Sequence, residues 1–589
     1  MKKQNKKQEG KLHDIRHSLA HVLAAAVQEK FPKVRLGIGP VIDNGFYYDF
    51  KFSKEFSAEM LPALEARMKE IIKENLPFSG KKATPVIAKK TFKDQPFKLD
   101  LIKDFVKEKK ALSIYKTGDI FFDLCRGGHV KNTKEIDPAA FKLTHIAGAY
   151  WKGDEKKAQL TRIYGAAFEN KKDLDQYLWQ QEEAKKRDHR ILGQRLKLFT
   201  FAEEVGPGLP LWLPNGTILR DELEKYAKEV EGKWGYKRVT TPHIAKETLF
   251  RMSGHIPYYA DSMYPPMKLD DGNYYLKAMN CPHTHMIYRA EPHSYKDLPL
   301  RYAEYGTVYR YELSGTLAGL LRVRGFSQND AHIYCREDQV EEEFLKVMRL
   351  HEFWYRDVFG IKDFYMRLSL PANDKKKYAG MPAGWKKAVD MLRKIMKKSG
   401  LPYIEAEGEA AFYGPKVDFQ IKSAIGREET ASTNQLDFLA TERFNLRYVD
   451  KDGKEKPLYV IHRAPLGSHE RFIAFLIEHC AGSFPLWLAP VQAVVLPVGE
   501  KFEKYAADIA EITKAAGIRA EINSANETLG KRIREAELMK IPYVLVVGEK
   551  EEKENTVSVR HYTRGQEGVV KIDALVEKML IEAQNKTAK

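Results

Sequence analysis

Residues 309–335 read YRYELSGTLAGLLRVRGFSQNDAHIYC, and this stretch decides the fold. Two runs of alternating character flank a loop containing Gly315 and Gly319, the pattern of two strands joined by a connection. In the first run Arg310 and Glu312 are two apart and share a face. In the second, Phe326, Gln328, Asp330, His332 and Tyr334 share one. A face meant only for a core would be apolar. This one offers aromatic rings, an amide, a carboxylate and an imidazole in succession, which suits a ligand-lined cleft better than a solvated sheet surface.

Outward from this hairpin, the middle of the chain alternates amphipathic helices with strands from GPGLP (206–210) to about residue 485. Ile218 to Lys233, with Leu219, Leu223, Tyr226 and Val230 on one stripe, is an example. Upstream, Ile15, Leu19, Val22, Leu23 and Ala26 recur at helical spacing. GIGPVIDNGFYYDF reads as strands and 57–74 as a charged helix, so the region to about Gly165 is one α+β domain. Residues 170–198 lack Gly and Pro until Gly193 and read as a charged connecting helix. Beyond Pro490, VQAVVLPV, IRAEI, YVLVVG and TVSVRHY alternate with helices as a small α/β domain. Residues 1–11, with five lysines, read as a basic disordered arm.

Composition bounds the function. At about 150 residues per domain, 589 residues allow roughly four domains. With 98 Lys plus Arg against 81 Asp plus Glu, the net charge of +17 favours a polyanionic partner. With 43% hydrophobic residues the chain is globular and not disordered. Four scattered cysteines exclude a disulfide framework. The apolar region 472–498 is broken by Glu478, Pro485, Pro490 and Gln492, too often for a membrane span. The charged N-terminus has no apolar stretch behind it, so no signal peptide is expected. These features predict a reducing, cytoplasmic setting.

Three segments, WGYKRVTTPHI (234–244), the hairpin 310–335 and APLGSHERFIAFLIE (464–478), resemble the signature motifs of class II aminoacyl-tRNA synthetases. MNCPH (279–283), EGEAAFYGPKVDF (407–419), NQLDF (434–438), IHRA (461–464) and AGAYWKGDEKKAQLTRIYG (147–165) are similar to the threonyl-tRNA synthetases in particular. The resemblance covers nearly the whole chain from His13. It implies a multidomain α+β fold: an editing domain at 12–168, a connecting helix at 169–198, an antiparallel-sheet catalytic domain at 199–488 and an α/β anticodon-binding domain at 489–589. It implies a homodimer built on the first motif, with tRNA(Thr), ATP and threonine as partners and neither DNA nor membrane.

Adenylate formation needs in-line attack on the α-phosphate, so positive groups and Mg²⁺ with ATP should bear the charge. By resemblance Arg310 contacts the α-phosphate and the threonine carboxylate, and Glu312 positions the adenine end. Arg322 reaches the γ-phosphate, Phe326 stacks on adenine and Arg471 closes the opposite face. Cys281, His332 and His462 match three zinc ligands, one ion per subunit. Their separations of 51 and 130 residues carry no local signature. Three ligands leave a coordination position open, and binding the substrate hydroxyl there would reject valine, which an apolar pocket discriminates by only ~10²-fold. Gln328, Asp330, Tyr413, Lys416, Gln435 and Ser468 complete the substrate site by resemblance.

Serine keeps the hydroxyl and lacks one methyl, worth only ~1–3 kcal/mol, so a second hydrolytic sieve is expected. His17 and His21 lie four apart on one helical face, and DLCRGGH groups Asp123, Cys125 and His129. By resemblance these, with Lys98, hydrolyse mischarged seryl-tRNA(Thr). Spacing alone would suggest zinc there; the resemblance to the threonyl family favours a metal-free site. Asn526, Arg534, Glu551 and Arg560 match anticodon-reading positions, the ordinary mode for splayed single-stranded bases. The chain departs from the family in having only the lysine-rich stretch where a small N-terminal domain is usual, and in Thr284, Thr430 and Gly128. Gly128 stands for a frequent proline and predicts a looser loop. Rival readings are a synthetase for serine or proline, or a non-catalytic RNA-binding or regulatory paralogue; intact Arg310, Glu312, Arg322 and Arg471 oppose the latter.

Overall fold

The computed structural model describes residues 2–372, 382–423, 426, 428–524 and 527–586, with side chains from Gly10 onward. The chain folds as two compact units, Met1–Glu182 and Glu183–Lys589.

In the first unit, helix Lys2–Lys30 buries Leu19, Val22, Leu23 and Ala26 against Phe46, Tyr48 and Phe50 of strand Gly45–Lys51 and against Leu64, Met68 and Ile71 of helix Leu61–Lys73. The helix begins at Lys2, so the lysine-rich stretch expected as a disordered arm has helical backbone. Lys and Gln are good helix formers, and no Pro or Gly interrupts them before Gly10. Strand Gly45–Lys51 lies inside an antiparallel sheet with Arg35–Leu36, Gln159–Ala167 and Phe141–Tyr150. A second antiparallel sheet, Phe78–Ala83, Leu112–Thr117 and Phe121–Leu124, delivers Asp123 and, just past its end, Cys125. Gly127 and Gly128 follow at φ +98° and +83°. Proline, locked near φ −65°, could not take that conformation. Gly128 therefore serves a turn that returns the chain to His129.

The expected connecting helix is two helices, Lys171–Arg187 and His189–Arg195. Asp188 breaks them, with ψ 116° and its carboxylate accepting from the amide of Arg190. An aspartate is a favoured N-cap, a signal that the charge pattern conceals.

The second unit is organised by an eight-stranded sheet, in the order Lys237–Arg238, Leu300–Tyr309, Gly325–Cys335, Tyr459–Ala464, Glu428–Asp437, Lys416–Lys422, Phe364–Leu370 and Tyr403–Glu407. It is antiparallel except at its two edges. One face packs Ala303, Ala331, Ile333 and Cys335 against helices Pro214–Lys233 and Val340–Glu352. The other face carries the chemistry. The first run of the hairpin stops at Tyr309, one residue before Arg310. Arg310 still donates its amide to Arg324, but the amide of Tyr311 turns away to Ser262. Arg310 and Glu312 therefore sit on an irregular loop, not on a strand face as the alternation predicts. The second run is a strand as expected.

At the C-terminal end, strands Ala520–Ile522, Ala493–Pro497 and Tyr543–Val547 run parallel, joined by antiparallel Thr556–His561 and Gly565–Lys571. The last of these is not evident from the sequence pattern; the two glycines of GQEGVVK mask its alternation. Among the described residues no helix is long and apolar enough to cross a membrane.

Candidate functional site

The register of the large sheet builds a candidate metal site. His332 pairs directly with His462, His462 with Gln435, and Gln435 with Lys416 on four successive strands. Residues opposite one another in a ladder share a face, so side chains scattered between positions 332 and 462 become one row. Cys281 opens helix Cys281–Arg289 above this face. Gly306, opposite Gln328, has no room for a side chain because the carboxamide of Asn280 fills that space.

Ligand atoms of Cys281, His332 and His462 all lie within 4.8 Å of one another, and all three residues are buried. Nε2 of His332 has no hydrogen-bond partner. Burial, then the neighbouring His462, pushes the His332 imidazole well below its ordinary pKa and so keeps it neutral, the form that binds metal. Burial, then Asp330 and Asp437, pushes the Cys281 thiol well up. A dication would reverse that last shift, since a coordinated thiol is deprotonated. Nε2 of His462 is 3.1 Å from Oδ2 of Asp437. Against the upward push of burial, that bond and the imidazole's charge hold Asp437 below its ordinary value. A buried, partly unsatisfied Cys/His₂ set backed by a carboxylate fits a zinc ion.

Around it, Tyr413 donates its hydroxyl to Gln435, and its ring centroid is 5.2 Å from that of His462. Burial lifts the Asp330 carboxyl to about 6, and Asn280 donates to it at 3.3 Å. Nζ of Lys416 is 3.1 Å from Asp418. Gln328 bridges to Ser468, whose hydroxyl accepts the amide of Arg471 and caps helix His469–Cys480. The guanidinium of Arg310 lies 5.0 Å over the ring of Phe326, which is 8% exposed. Arg322 pairs with Glu312 at 2.9 Å. Arg471 is half exposed, 3.9 Å from Glu429. Thr430 accepts from Gln420 at 2.9 Å, and the Thr284 hydroxyl is tied to the carbonyl of Asn280.

The first unit brings together the second expected set. Ligand atoms of His17, His21, Cys125 and His129 lie within 4.8 Å. Sγ of Cys125 is 3.4 Å from Nε2 of His17 and 3.2 Å from Nε2 of His129. Behind them, Nδ1 of His17 meets the Gly128 carbonyl and Nδ1 of His129 meets Ser18. Burial and then the adjacent imidazoles press His129 down to about 2, and burial lifts Cys125 to about 11. Beside them Lys98 and Asp123 form a buried ion pair. Tyr48 donates to Asp123 at 2.5 Å and accepts from Lys98 at 3.0 Å. A cleft of about 1060 Å³, lined by His17, His21, Lys98, Asp123 and Cys125, opens onto this group.

Tyr48 and Asp437 escape the sequence reading. Tyr48 sits between Phe46 and Phe50 in an inward-facing alternation, and its signal is the hydroxyl, which when buried needs a partner. Asp437 lies in a motif already singled out, two residues after Gln435. In the C-terminal domain Arg534 is exposed, Arg560 pairs with Glu537 at 2.8 Å, and Glu551 accepts the amide of Gly548, capping its own helix. Asn526 lies outside the described residues.

Three families match the chain: "tRNA synthetase class II core domain (G, H, P, S and T)" over 266–480, "Anticodon binding domain" over 492–582, and "Threonyl and Alanyl tRNA synthetase second additional domain" over 112–164. The chain is 49% identical to a threonine–tRNA ligase of Thermus thermophilus over 584 residues, covering 96% of this chain and 88% of that protein. It is 47% identical to threonine–tRNA ligase 1 of Bacillus subtilis, covering 97% and 89%. Among solved structures it resembles one described as the RNA binding domain of threonyl-tRNA synthetase from Cryptosporidium parvum Iowa II, at 36% identity and TM-score 0.64, covering 67% of this chain and 98% of that one.

Proposed function

The chain belongs to the threonyl-tRNA synthetase family and is an aminoacyl-tRNA synthetase, and from that premise we propose how its residues divide the work. As a threonine–tRNA ligase it uses threonine, ATP with Mg²⁺, and tRNA. The observation that carries the residue assignment is the row His332–His462–Gln435 with Cys281 above it.

Zn²⁺ held by Cys281, His332 and His462 would supply, when bound, an open position for threonine's amino and hydroxyl groups. Tyr413, Gln435, Gln328, Asp330, Lys416 and Ser468 enclose the amino acid. Arg310 draws the threonine carboxylate to the α-phosphate, and Arg322 exchanges Glu312 for the γ-phosphate. Adenine stacks on Phe326, with Arg471 on its other face and Glu312 at its edge. The guanidinium over Phe326 must leave for adenine to stack, so one swing of Arg310 toward the α-phosphate meets both assignments. Preorganised positive charge then stabilises the developing pentavalent centre.

In the first unit, His17, His21, Lys98, Asp123, Cys125 and His129 hydrolyse seryl-tRNA(Thr) without a metal, binding the terminal adenosine and positioning water. The Cys125 thiol, engaged by two imidazoles, and the adjacent ammonium of Lys98 support the metal-free reading. Anticodon reading falls to Asn526, Arg534, Glu551 and Arg560; the exposure of Arg534 favours it most. The domain limits are 12–168, 199–488 and 489–589, with a connection between the first two. The protein is cytoplasmic and pairs as a homodimer through the first motif. Exposed Ile244, Met267 and Leu269 on one small sheet support such a surface.

ATP–pyrophosphate exchange across the twenty amino acids, with metal analysis of the same sample, tests the assignment. Exchange driven by threonine with about one zinc per chain is the expected result. Exchange driven by serine or proline instead, or none at all, defeats it.

A further inference from the structure

The segment leading into the second unit does more than connect. Asp188 accepts the amide of Arg190 at 2.8 Å and starts helix His189–Arg195. This break turns His189 inward, where it is 3% exposed. Both ring nitrogens are used. Nδ1 is 2.7 Å from Oε1 of Glu478, and Nε2 accepts the amide of Leu320 at 3.1 Å. A carboxylate on Nδ1 sets the tautomer, with Nδ1–H donating and Nε2 accepting. Asp188, His189 and Glu478 form a group with metal-ligand spacing, but an imidazole engaged at both nitrogens has no lone pair left for a cation.

The two ends of this bridge lie in the nucleotide machinery. Leu320 is buried at the centre of a turn in which the amide of Ala318 meets the carbonyl of Arg322 at 3.2 Å, and this turn presents Arg322. Glu478 is on helix His469–Cys480, seven residues after Arg471 and hence on the same side of it. Gly319, at φ +53°, has no room for a side chain because His189 Nε2, and beside it Arg190, occupies the space. The imidazole is therefore a strut between the loop of Arg322 and the helix of Arg471.

We propose that His189 is a positioning residue for adenylate formation, holding the Arg322 loop at a fixed height above the Arg471 helix so that both arginines meet one nucleotide. This rests on the reading of Arg322 and Arg471 as ATP contacts.

Steady-state pyrophosphate exchange tests it. His189→Ala should raise KM for ATP about tenfold, equal to about 1.4 kcal/mol, the size of one net hydrogen bond. KM for threonine at saturating ATP should stay within about twofold, which a merely loosened fold would not ensure. His189→Gln, which keeps an acceptor for the Leu320 amide, should recover most of the loss. Gly319→Ala crowds the ring while leaving it in the chain, but also meets Arg190 and strains a backbone at φ +53°. It should reproduce the loss even where His189→Ala does not fold, and counts for the strut when the double variant adds nothing to His189→Ala. The double variant should be no worse than the worse single one. Parallel rises in both KM values, or no change in either single variant, would overturn the strut. Arg322→Ala separates the two claims. If it raises KM for ATP while His189→Ala and Gly319→Ala do not, the strut alone is wrong. If none of the three moves KM for ATP, the nucleotide reading fails first and takes the strut with it.

Discussion

The two cysteine–histidine groups of this protein are built from the same kinds of side chain and sit in opposite surroundings. Each gathers its ligand atoms within 4.8 Å, and each has one buried imidazole nitrogen without a partner, Nδ1 of His21 and Nε2 of His332. The difference lies in what surrounds them. The first group borders an open cleft, and the Lys98–Asp123 pair beside it leaves no net charge. The second is closed, and the charges that act most strongly on its cysteine are those of Asp330 and Asp437. A dication gains from two carboxylates and nothing from a balanced pair. Donor types thus mark two places where a metal could bind, and the surrounding charge favours the second.

Three experiments can break or sharpen that contrast. Cys281→Ser should take zinc from about one per chain to near zero by elemental analysis, and lower threonine-dependent exchange at least about 10²-fold, as when a site loses the partner of a substrate hydroxyl. Zinc retained in that variant would place the ion on the first group and invert the comparison. His17→Ala combined with His21→Ala should slow hydrolysis of seryl-tRNA by roughly 10²-fold, the usual contribution of positioned acid–base groups. Its zinc content and threonine activation should not change; a lost equivalent of zinc would contradict a metal-free first site. Asp437→Asn should have the smallest effect, weakening zinc by about tenfold in chelator competition, the low end for a carboxylate behind a ligating histidine. Unchanged affinity would mean that Asp437 orients His462 without tuning the metal.

Much of this is legible in the chain. The alternation of 326–334 is a strand, the stripe Leu19, Val22, Leu23 and Ala26 is a buried helix face, and the C-terminal strands lie where their apolar runs are. Other features are not. Arg310 and Glu312 fit the alternation and yet leave the ladder, because the amide of Tyr311 finds Ser262. The break at Asp188 is hidden in a run of charges that is equally good helix.

By itself the sequence determined what depends on near neighbours: helix stripes, strand faces, and the pairs His17/His21 and Cys125/His129, four apart. Only the tertiary structure decided what depends on register. His332 and His462, 130 residues apart, become a pair because two antiparallel strands place them opposite one another. Tyr48 becomes the partner of Lys98 and Asp123 only when a helix and a second strand close on its own strand. His189 joins Leu320 to Glu478 across 131 and 289 residues. Periodicity is a local consequence of backbone geometry and can be read along the chain. Ladder register and burial are set by the whole core, and no window of sequence contains them.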